Sequence, residues 1–331
     1  MLRFAAVEVG WRTKAEPAAL AAWRGPWAAA LAWAKDAGDA VRTHVEGVLA
    51  RIEAPRAPLA GLAMDRPRLA GIVNATPDSF SDGGQFRGAA AAVEYGMRLV
   101  SEGAAIVDVG GESTRPGSGG IGVEEERARV TPVVAALAKQ GVLVSIDTRK
   151  AAVMAEALES GARIVNDTSA LAADARSLPL VAAQGVPAIL MHMRGAPADM
   201  AARARYDSAA HDVFDELEAR VRACESAGIP RGRLVVDPGI GFAKDGAHNA
   251  HVLAHLALYH GLGCALMLGV SRKRLVPAVE ASAPPPGRLP ASLGVAWSAL
   301  EKGVQILRVH DVAAHAQMLA AWHALARPEE V

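Results

Sequence analysis

The sequence contains little cysteine, no excess of either charge and no long uninterrupted apolar run. Cys224 and Cys264 are the only cysteines among 331 residues, and their spacing is not that of metal ligands. Two such residues do not make a disulfide framework, so we expect a reducing, cytoplasmic location. The formal net charge is zero. This balance disfavours a nucleic-acid partner, because binding to a polyanion normally requires an excess of basic residues.

The first residues lack the features of a secretory signal and of a membrane span. Acidic and basic side chains interrupt residues 1–20, which therefore contain no long apolar core. Residues 23–34 are largely apolar but number only about a dozen, whereas a helix needs roughly 20 residues to cross a bilayer. We therefore expect no membrane partner, and we expect a packed helix of a soluble protein over residues 23–34.

Aromatic residues make up only 4% of the chain, and the tryptophans are unevenly placed. Four of the six tryptophans lie before residue 58, where a helix-like stretch over residues 37–52 is followed by Pro55 and Pro58. We interpret residues 1–58 as a mostly helical N-terminal extension of a larger domain over residues 59–331. Aromatic residues at helical spacing are more often core than part of a cofactor site, so we expect this extension to be a packing layer.

From Leu69 onward, short β-type apolar runs alternate with alanine-rich stretches of helical length. The polar residues at the ends of these runs are Asn74, Asp108, Asp147, Asn166, His192, Asp237, Ser271, Arg308 and His310. Eight strand and helix repeats predict an α/β fold, a closed (β/α)₈ TIM barrel. We expect its helices near residues 89–102, 123–139, 149–159, 173–183, 208–227, 249–258, 290–302 and 311–325. Active sites of such barrels lie at the carboxyl ends of the strands, where these polar side chains would converge.

Two loops differ from the other connections. NATPDSFSDGGQFRG follows the first barrel strand and GGESTRPGSGGIG follows the second, and both are rich in glycine, proline and hydroxyl residues. Long glycine-bearing loops above an active site are candidate lids. Carboxylates, amides and cations around one mouth would suit a single polar ligand that is partly anionic.

Eight segments in chain order resemble the signature motifs of the dihydropteroate synthases: GIVNATPDSFSDGG, DVGGESTRPG, SIDTRK, NDTSA, MHMRG, DPGIGFAK, GVSRK and RVHDV. The resemblance covers about residues 69–312. It implies a transferase of folate biosynthesis that joins 6-hydroxymethyl-7,8-dihydropterin diphosphate to p-aminobenzoate, giving 7,8-dihydropteroate and pyrophosphate. It also implies a homodimer, because members of the family commonly dimerise.

The pterin presents adjacent N–H donors, which an ionised carboxylate accepts in a charge-assisted pair. The resemblance assigns this contact to Asp237. It implies further substrate contacts from Asp147, Asn166, Phe242, Lys273 and Val309. It places Asp108, Arg115, Asp147 and Lys273 in catalytic positions. Two interpretations of Asp108 stay open: it lies near the reacting end of the substrate, or it braces the second loop through hydrogen bonds.

The diphosphate requires cations and N–H donors. Arg308 and His310 are two residues apart on one strand, so their side chains point to the same face and could hold one anion. The resemblance adds Thr114 as a diphosphate contact and Asn74 as a ligand of Mg²⁺, a cation that rarely takes an all-protein site.

The resemblance also implies a p-aminobenzoate pocket of Phe80, Thr114, Pro116 and Ser271. The chain departs from the family pattern after Lys273, where Arg274 replaces a frequent serine. Backbone N–H groups at that point could still bind the substrate carboxylate.

We expect a dissociative substitution at the pterin methylene, without a protein nucleophile. The two alternative functions are a pterin-dependent methyltransferase and an inactive pterin-binding protein. Pterin-dependent methyltransferases share the scaffold but lack these two loops in this form. An inactive pterin-binding protein would be expected to have lost Asn74, Arg115, Lys273 or Arg308, and all four are present.

Overall fold

The computed structural model describes residues 7–12, 20–75, 84–113, 120–274 and 284–326. It begins with a β-hairpin, in which β1 (Val7–Arg12) pairs antiparallel with β2 (Leu20–Gly25). Two helices follow, α1 (Trp27–Asp36) and α2 (Asp39–Glu53). The expected helix over residues 23–34 is therefore wrong at its start, because Trp23 lies in β2. Apolar residues alternate at positions 7, 9 and 11, which is the sequence signal of a strand.

A closed barrel of eight parallel strands forms the centre of the molecule. Its strands are β3 (Arg68–Asn74), β4 (Ile106–Gly110), β5 (Val144–Asp147), β6 (Ile164–Asp167), β7 (Ala188–Met191), β8 (Leu234–Asp237), β9 (Ala265–Leu268) and β10 (Ile306–Val309). Neighbouring strands pair in chain order, and β10 closes the barrel by pairing with both β9 and β3. The predicted TIM barrel is confirmed.

Helices alternate with these strands. They are α3 (Gly84–Ser101), α4 (Val123–Lys139), α5 (Ala151–Glu159), α6 (Ser177–Gln184), α7 (Ala209–Ser226), α8 (Gly246–Ala254), α9 (Leu289–Glu301) and α10 (Val312–Ala326). Each overlaps its expected range. Helix α8 begins before the expected residue 249 because Asp245 caps it, its side chain accepting a hydrogen bond of 2.8 Å from the His248 N–H. Within the described ranges, no helix combines the length and the apolar character that crossing a membrane requires.

The barrel interior is built in layers, because side chains alternate between the two faces of a strand. Its lower layer is apolar and contains Ile106, Ile164, Val235 and Ile306. Leu59 and Met64, from the segment before β3, join this layer. The intervening strand residues face the helices and form the outer core, for example Val107, Val165, Val236 and Leu307. This alternation decides which residues of the upper strand ends point into the barrel.

The N-terminal extension attaches to the barrel end where the strands begin. A small core of Ala34, Val45 and Leu49 joins α1 to α2. Arg51 Nε donates to the Gly261 carbonyl at 2.8 Å, and Arg56 Nη2 donates to the His260 carbonyl at 3.3 Å. Both carbonyls lie just before β9. Whether residues 1–58 form a domain separable from residues 59–331 stays a prediction.

Candidate active site

Polar side chains occupy the layer above the apolar floor of the barrel. They are Asp108, Asn166, Asp237 and Arg308, each two residues beyond a floor residue of its own strand. Asp147, at the end of β5, pairs in register with Asn166 of β6. Five side chains from five strands therefore meet at the carboxyl-terminal mouth. The polar residues at the ends of the apolar runs predicted this convergence.

Arg308 connects two carboxylates across this mouth. Its Nε donates to Asp108 Oδ2 and its Nη2 donates to Asp147 Oδ2, each at 2.6 Å. Burial opposes the charge on Arg308, but the two carboxylates outweigh it and raise the pKa of the guanidinium. Burial raises the pKa of Asp147 to about 7, with the charge of Arg308 acting against it. The arginine is thus fixed by charge on both sides.

The two carboxylate oxygens of Asp108 differ in their hydrogen bonding. Its Oδ2 also accepts from Asn166 Nδ2 at 2.9 Å, whereas its Oδ1 is buried and has no hydrogen-bond partner among the described residues. A buried acceptor without a donor costs about 1–3 kcal/mol, so such groups usually serve a purpose. The partners seen for Asp108 come from β6 and β10. Residues 114–119 of the second loop lie outside the described parts of the chain, so both interpretations of Asp108 stay open.

Asp237 and Lys273 lie near each other beside this network, without an ion pair between them in the described residues. Asp237 Oδ1 accepts from the Gly239 N–H at 2.7 Å, and Lys273 Nζ donates to the Ile240 carbonyl at 2.6 Å. Burial raises the pKa of Asp237, while Lys273 opposes that rise. Burial lowers the pKa of Lys273 to about 8. The lysine ammonium also lies 4.8 Å from the centre of the Phe242 ring.

Gly269 lies where these groups approach one another. A Cβ placed on Gly269 would lie 3.6 Å from Asp237 Oδ2, 3.8 Å from Lys273 Nζ and 3.9 Å from Arg308 Cβ. Asp237, Lys273 and the strand that bears Arg308 therefore border Gly269 together.

His310 is held by Ser271. The Ser271 hydroxyl lies 3.1 Å from His310 Nδ1 and accepts from the His310 backbone N–H at 3.1 Å. Burial lowers the pKa of His310 to about 3, helped by the charge of Arg308, so the ring is neutral near pH 7. We expected two side chains to hold an anion together. Here Arg308 is paired with carboxylates and the His310 ring is neutral, and the shared anion site stays a prediction.

Several predicted site residues lie outside the described parts of the chain. They are Phe80, Thr114, Arg115 and Pro116. Asn74 is described and half-buried at the end of β3, and Arg274 is exposed. The Val309 side chain packs in the outer core, so only its backbone faces the mouth.

A charged cluster at the base of the second loop was not predicted. Lys150 Nζ donates to Glu112 Oε2 at 2.7 Å and also contacts Glu126 Oε2, while Arg149 Nη2 donates to Glu112 Oε1 at 3.3 Å. Glu112 lies in DVGGESTRPG and Lys150 in SIDTRK. Both residues lie in motifs that the sequence analysis identified, but only the fold shows that the two motifs contact each other through these ion pairs.

Two grooves lie at the opposite end of the barrel. Their volumes are about 330 Å³ and 450 Å³, and they are lined mainly by apolar residues. Neither contains a predicted site residue. The mouth, with its paired charges and free acceptor, is the better candidate.

Comparisons with known proteins show which family this chain resembles. Residues 70–310 match the family model described as pterin binding enzyme. The dihydropteroate synthase of Escherichia coli K12 is 42% identical over 256 residues, covering 76% of this chain and 89% of the relative. A probable bifunctional folylpolyglutamate synthase/dihydropteroate synthase of Haloferax volcanii is 45% identical over 248 residues. That match covers 75% of this chain but only 29% of the larger relative.

Solved structures of dihydropteroate synthases resemble the whole barrel. The Xanthomonas albilineans enzyme with 4-aminobenzoic acid has a TM-score of 0.77 and 44% identity, covering 82% of this chain and 98% of the other. The same enzyme with 7,8-dihydropteroate has a TM-score of 0.74 and 42% identity, covering 82% and 99%. The Yersinia pestis enzyme with a sulfonamide drug has a TM-score of 0.75 and 40% identity, covering 80% and 96%. The chain therefore belongs to the dihydropteroate synthase family of pterin-binding enzymes.

Proposed function

We propose that this protein condenses 6-hydroxymethyl-7,8-dihydropterin diphosphate with p-aminobenzoate, giving 7,8-dihydropteroate and pyrophosphate. The observation that carries this proposal is the convergence of Asp237, Lys273 and Arg308 around the space beside Gly269. An acceptor for the pterin N–H edge, a donor for its carbonyl and a cation for its phosphorylated tail are all within reach of one ligand.

The pterin is recognised by charge-assisted hydrogen bonds. Asp237 Oδ1 is occupied by the Gly239 N–H, which leaves Oδ2 facing the ligand space. Asp237 accepts from the amino-pyrimidinone edge, and Lys273 donates to the carbonyl side. The Phe242 ring, next to the lysine, offers a face on which the heterocycle stacks. The buried, unpaired Asp108 Oδ1 accepts a further donor.

The reaction is a substitution at the pterin methylene carbon. The bond from this carbon to the diphosphate oxygen breaks, and its electron pair leaves with pyrophosphate. The p-aminobenzoate nitrogen then forms the new bond and loses a proton to water. Buried carboxylates stabilise the developing pterin cation, and Arg308 stabilises the departing anion, because charges are strong in a site that excludes water. No protein nucleophile is needed.

We propose Asn74 as a ligand of Mg²⁺. In the described residues no group of three His, Cys, Asp or Glu side chains could hold a metal. A site made only of such side chains is therefore not available there, whereas one amide oxygen completed by diphosphate oxygens and water fits the usual mode of Mg²⁺ binding. When bound, the cation would neutralise part of the diphosphate charge.

The p-aminobenzoate pocket is proposed to combine Ser271 with Phe80, Thr114 and Pro116. Ser271 is buried at the mouth and borders His310. Arg115 is proposed to act from the same loop as Thr114. The homodimer and the cytoplasmic location also remain predictions.

The test is direct. The purified full-length chain is incubated with both substrates and Mg²⁺, and pyrophosphate and dihydropteroate are measured. Both products should accumulate in equal amounts, and a sulfonamide should inhibit competitively with p-aminobenzoate. Pterin binding without any product would support the alternative of an inactive pterin-binding protein. Methyl transfer from a methylated tetrahydrofolate would support the methyltransferase alternative.

A further inference from the structure

Lys244 is a buried lysine close to the pterin-facing residues, and the reaction above does not use it. It lies between β8 and α8 and is 8% exposed. Its ammonium group donates to the Gly239 carbonyl at 3.0 Å and to the Phe242 carbonyl at 3.1 Å. It also donates to His192 Nδ1 at 2.9 Å. All three of its N–H donors are thus directed at partners.

The segment between β8 and Lys244 has an unusual backbone. Gly239, Gly241 and Ala243 have φ angles of +67°, +81° and +49°. A Cβ at Gly239 would lie 2.0 Å from the His192 carbonyl oxygen, so only glycine fits there. Ala243 has a side chain and is strained in this conformation. Such conformations persist only where surrounding contacts impose them.

Lys244 supplies those contacts. Its ammonium group donates to the carbonyls of Gly239 and Phe242, and these two hydrogen bonds hold residues 239–244 as a compact loop. The Tyr206 hydroxyl, from the segment between β7 and α7, donates to the Ala243 carbonyl at 2.9 Å and holds the same loop. The loop is therefore shaped by one lysine and one tyrosine from different parts of the chain.

This loop also forms one wall of the proposed pterin site. The Gly239 N–H donates to Asp237, the Ile240 carbonyl accepts from Lys273, and the Phe242 ring lies below the Lys273 ammonium. A change in the loop would move the acceptor, the donor and the stacking face together.

His192 connects Lys244 to a surface charge. Because its Nδ1 accepts from the ammonium, its Nε2 carries the hydrogen and donates to Glu216 Oε2 at 3.0 Å. Arg194 Nε also donates to Glu216, at 2.9 Å. Burial lowers the pKa of His192 to about 4, so the neutral ring that this arrangement requires is the stable form near pH 7.

We propose that Lys244 is a positioning residue for the pterin site, which sets the places of Asp237, Lys273 and Phe242 through the loop carbonyls and is itself oriented by His192. This proposal rests on the proposed function, since it assigns the loop to pterin recognition. It differs from a purely structural role, because it predicts a selective loss of pterin affinity in a chain that still folds.

The main test compares Lys244→Met, which keeps the apolar stem, with Lys302→Met. Lys302 lies at the exposed end of α9, where its ammonium contacts Ser298. Calorimetric titration with 6-hydroxymethyl-7,8-dihydropterin diphosphate gives the dissociation constant without turnover. We expect this constant to rise about tenfold in Lys244→Met and to be unchanged in Lys302→Met. With both substrates saturating, kcat should fall by less than about threefold, because the reacting groups remain.

Variants of His192 keep the test decisive if Lys244→Met does not fold. His192→Asn places an amide oxygen near the position of Nδ1, whereas His192→Leu removes the acceptor. The asparagine variant should bind the pterin diphosphate more tightly than the leucine variant. Equal affinity in both, or wild-type pterin affinity in a folded Lys244→Met chain, would overturn the proposal. Failure of the wild-type chain to form dihydropteroate would overturn the proposed function instead, while the comparison of pterin affinities still tests Lys244.

Discussion

Arg308 and Asp108 are 200 positions apart in the sequence, yet the guanidinium Nε of one lies 2.6 Å from the carboxylate of the other. The contact joins β10 to β4 across the barrel mouth. Since Asp147 occupies another nitrogen of the same guanidinium, the site depends on a charge balance among three residues. Removing one of them affects the other two.

Replacing Asp108 by alanine should destabilise the fold. The change leaves Arg308 and Asn166 without a shared acceptor, and breaking a buried pair typically costs about 3–5 kcal/mol. Urea denaturation measures the effect. Asp65→Ala, which removes an exposed partner of Arg68, should cost no more than about 1 kcal/mol. Equal losses of unfolding free energy in the two variants would contradict the larger stabilising effect expected of the buried pair.

Replacing Asp237 by alanine should abolish pterin binding, because the acceptor for the N–H edge is lost. Calorimetry with the pterin diphosphate measures this directly. Asp39→Ala, in the exposed first turn of α2, is the matched control and should bind normally. Unchanged affinity in the Asp237 variant would refute its assignment as the pterin anchor.

Replacing Ala243 by glycine should stabilise the protein. Glycine removes the steric cost of the +49° φ angle, and we expect a gain of about 1 kcal/mol in the free energy of unfolding. The control is Ala250→Gly in α8, where helical φ angles favour alanine and a loss of about 1 kcal/mol is expected. The prediction is wrong if both changes destabilise.

Lys244 should make stability depend on pH above neutrality. Burial lowers its pKa to about 7, whereas the unfolded chain keeps a value near 10.4. Between these values the unfolded chain binds more protons, so the contribution of Lys244 to stability rises as the pH increases from about 7 to about 10. Wild type should therefore gain stability relative to Lys244→Met over this range.

Urea unfolding of both chains at about pH 7 and about pH 9.5 measures that difference. Lys302→Met provides the comparison, because its ammonium lies at an exposed helix end. A constant difference between wild type and Lys244→Met would contradict the expected coupling.

The barrel and the level of its polar layer could be predicted from the sequence, because strands have a strict side-chain period of two. That period places Asp108 above Ile106 and Arg308 above Ile306 without further information. The period of two does not predict whether a side chain is protonated. The neutrality of His310 follows from burial, which depends on packing by distant segments.

Lys244 shows a second limit of the sequence. It stands at the end of the DPGIGFAK motif, but its partner His192 is 52 residues away. Local spacing carries no information about such a contact. Strand β1 differs, since the alternation of Val7, Val9 and Trp11 is visible in the sequence itself.

The N-terminal extension is anchored by Arg51 and Arg56 to main-chain oxygens of residues 260 and 261. Every amino acid presents the same carbonyl, so these two hydrogen bonds place no requirement on the side chains of residues 260 and 261 during evolution. The requirement at residue 261 is one of space, because a Cβ on Gly261 would lie 3.3 Å from Val48 Cγ1 of α2. Selection for the attachment therefore falls on the two arginines and on this glycine.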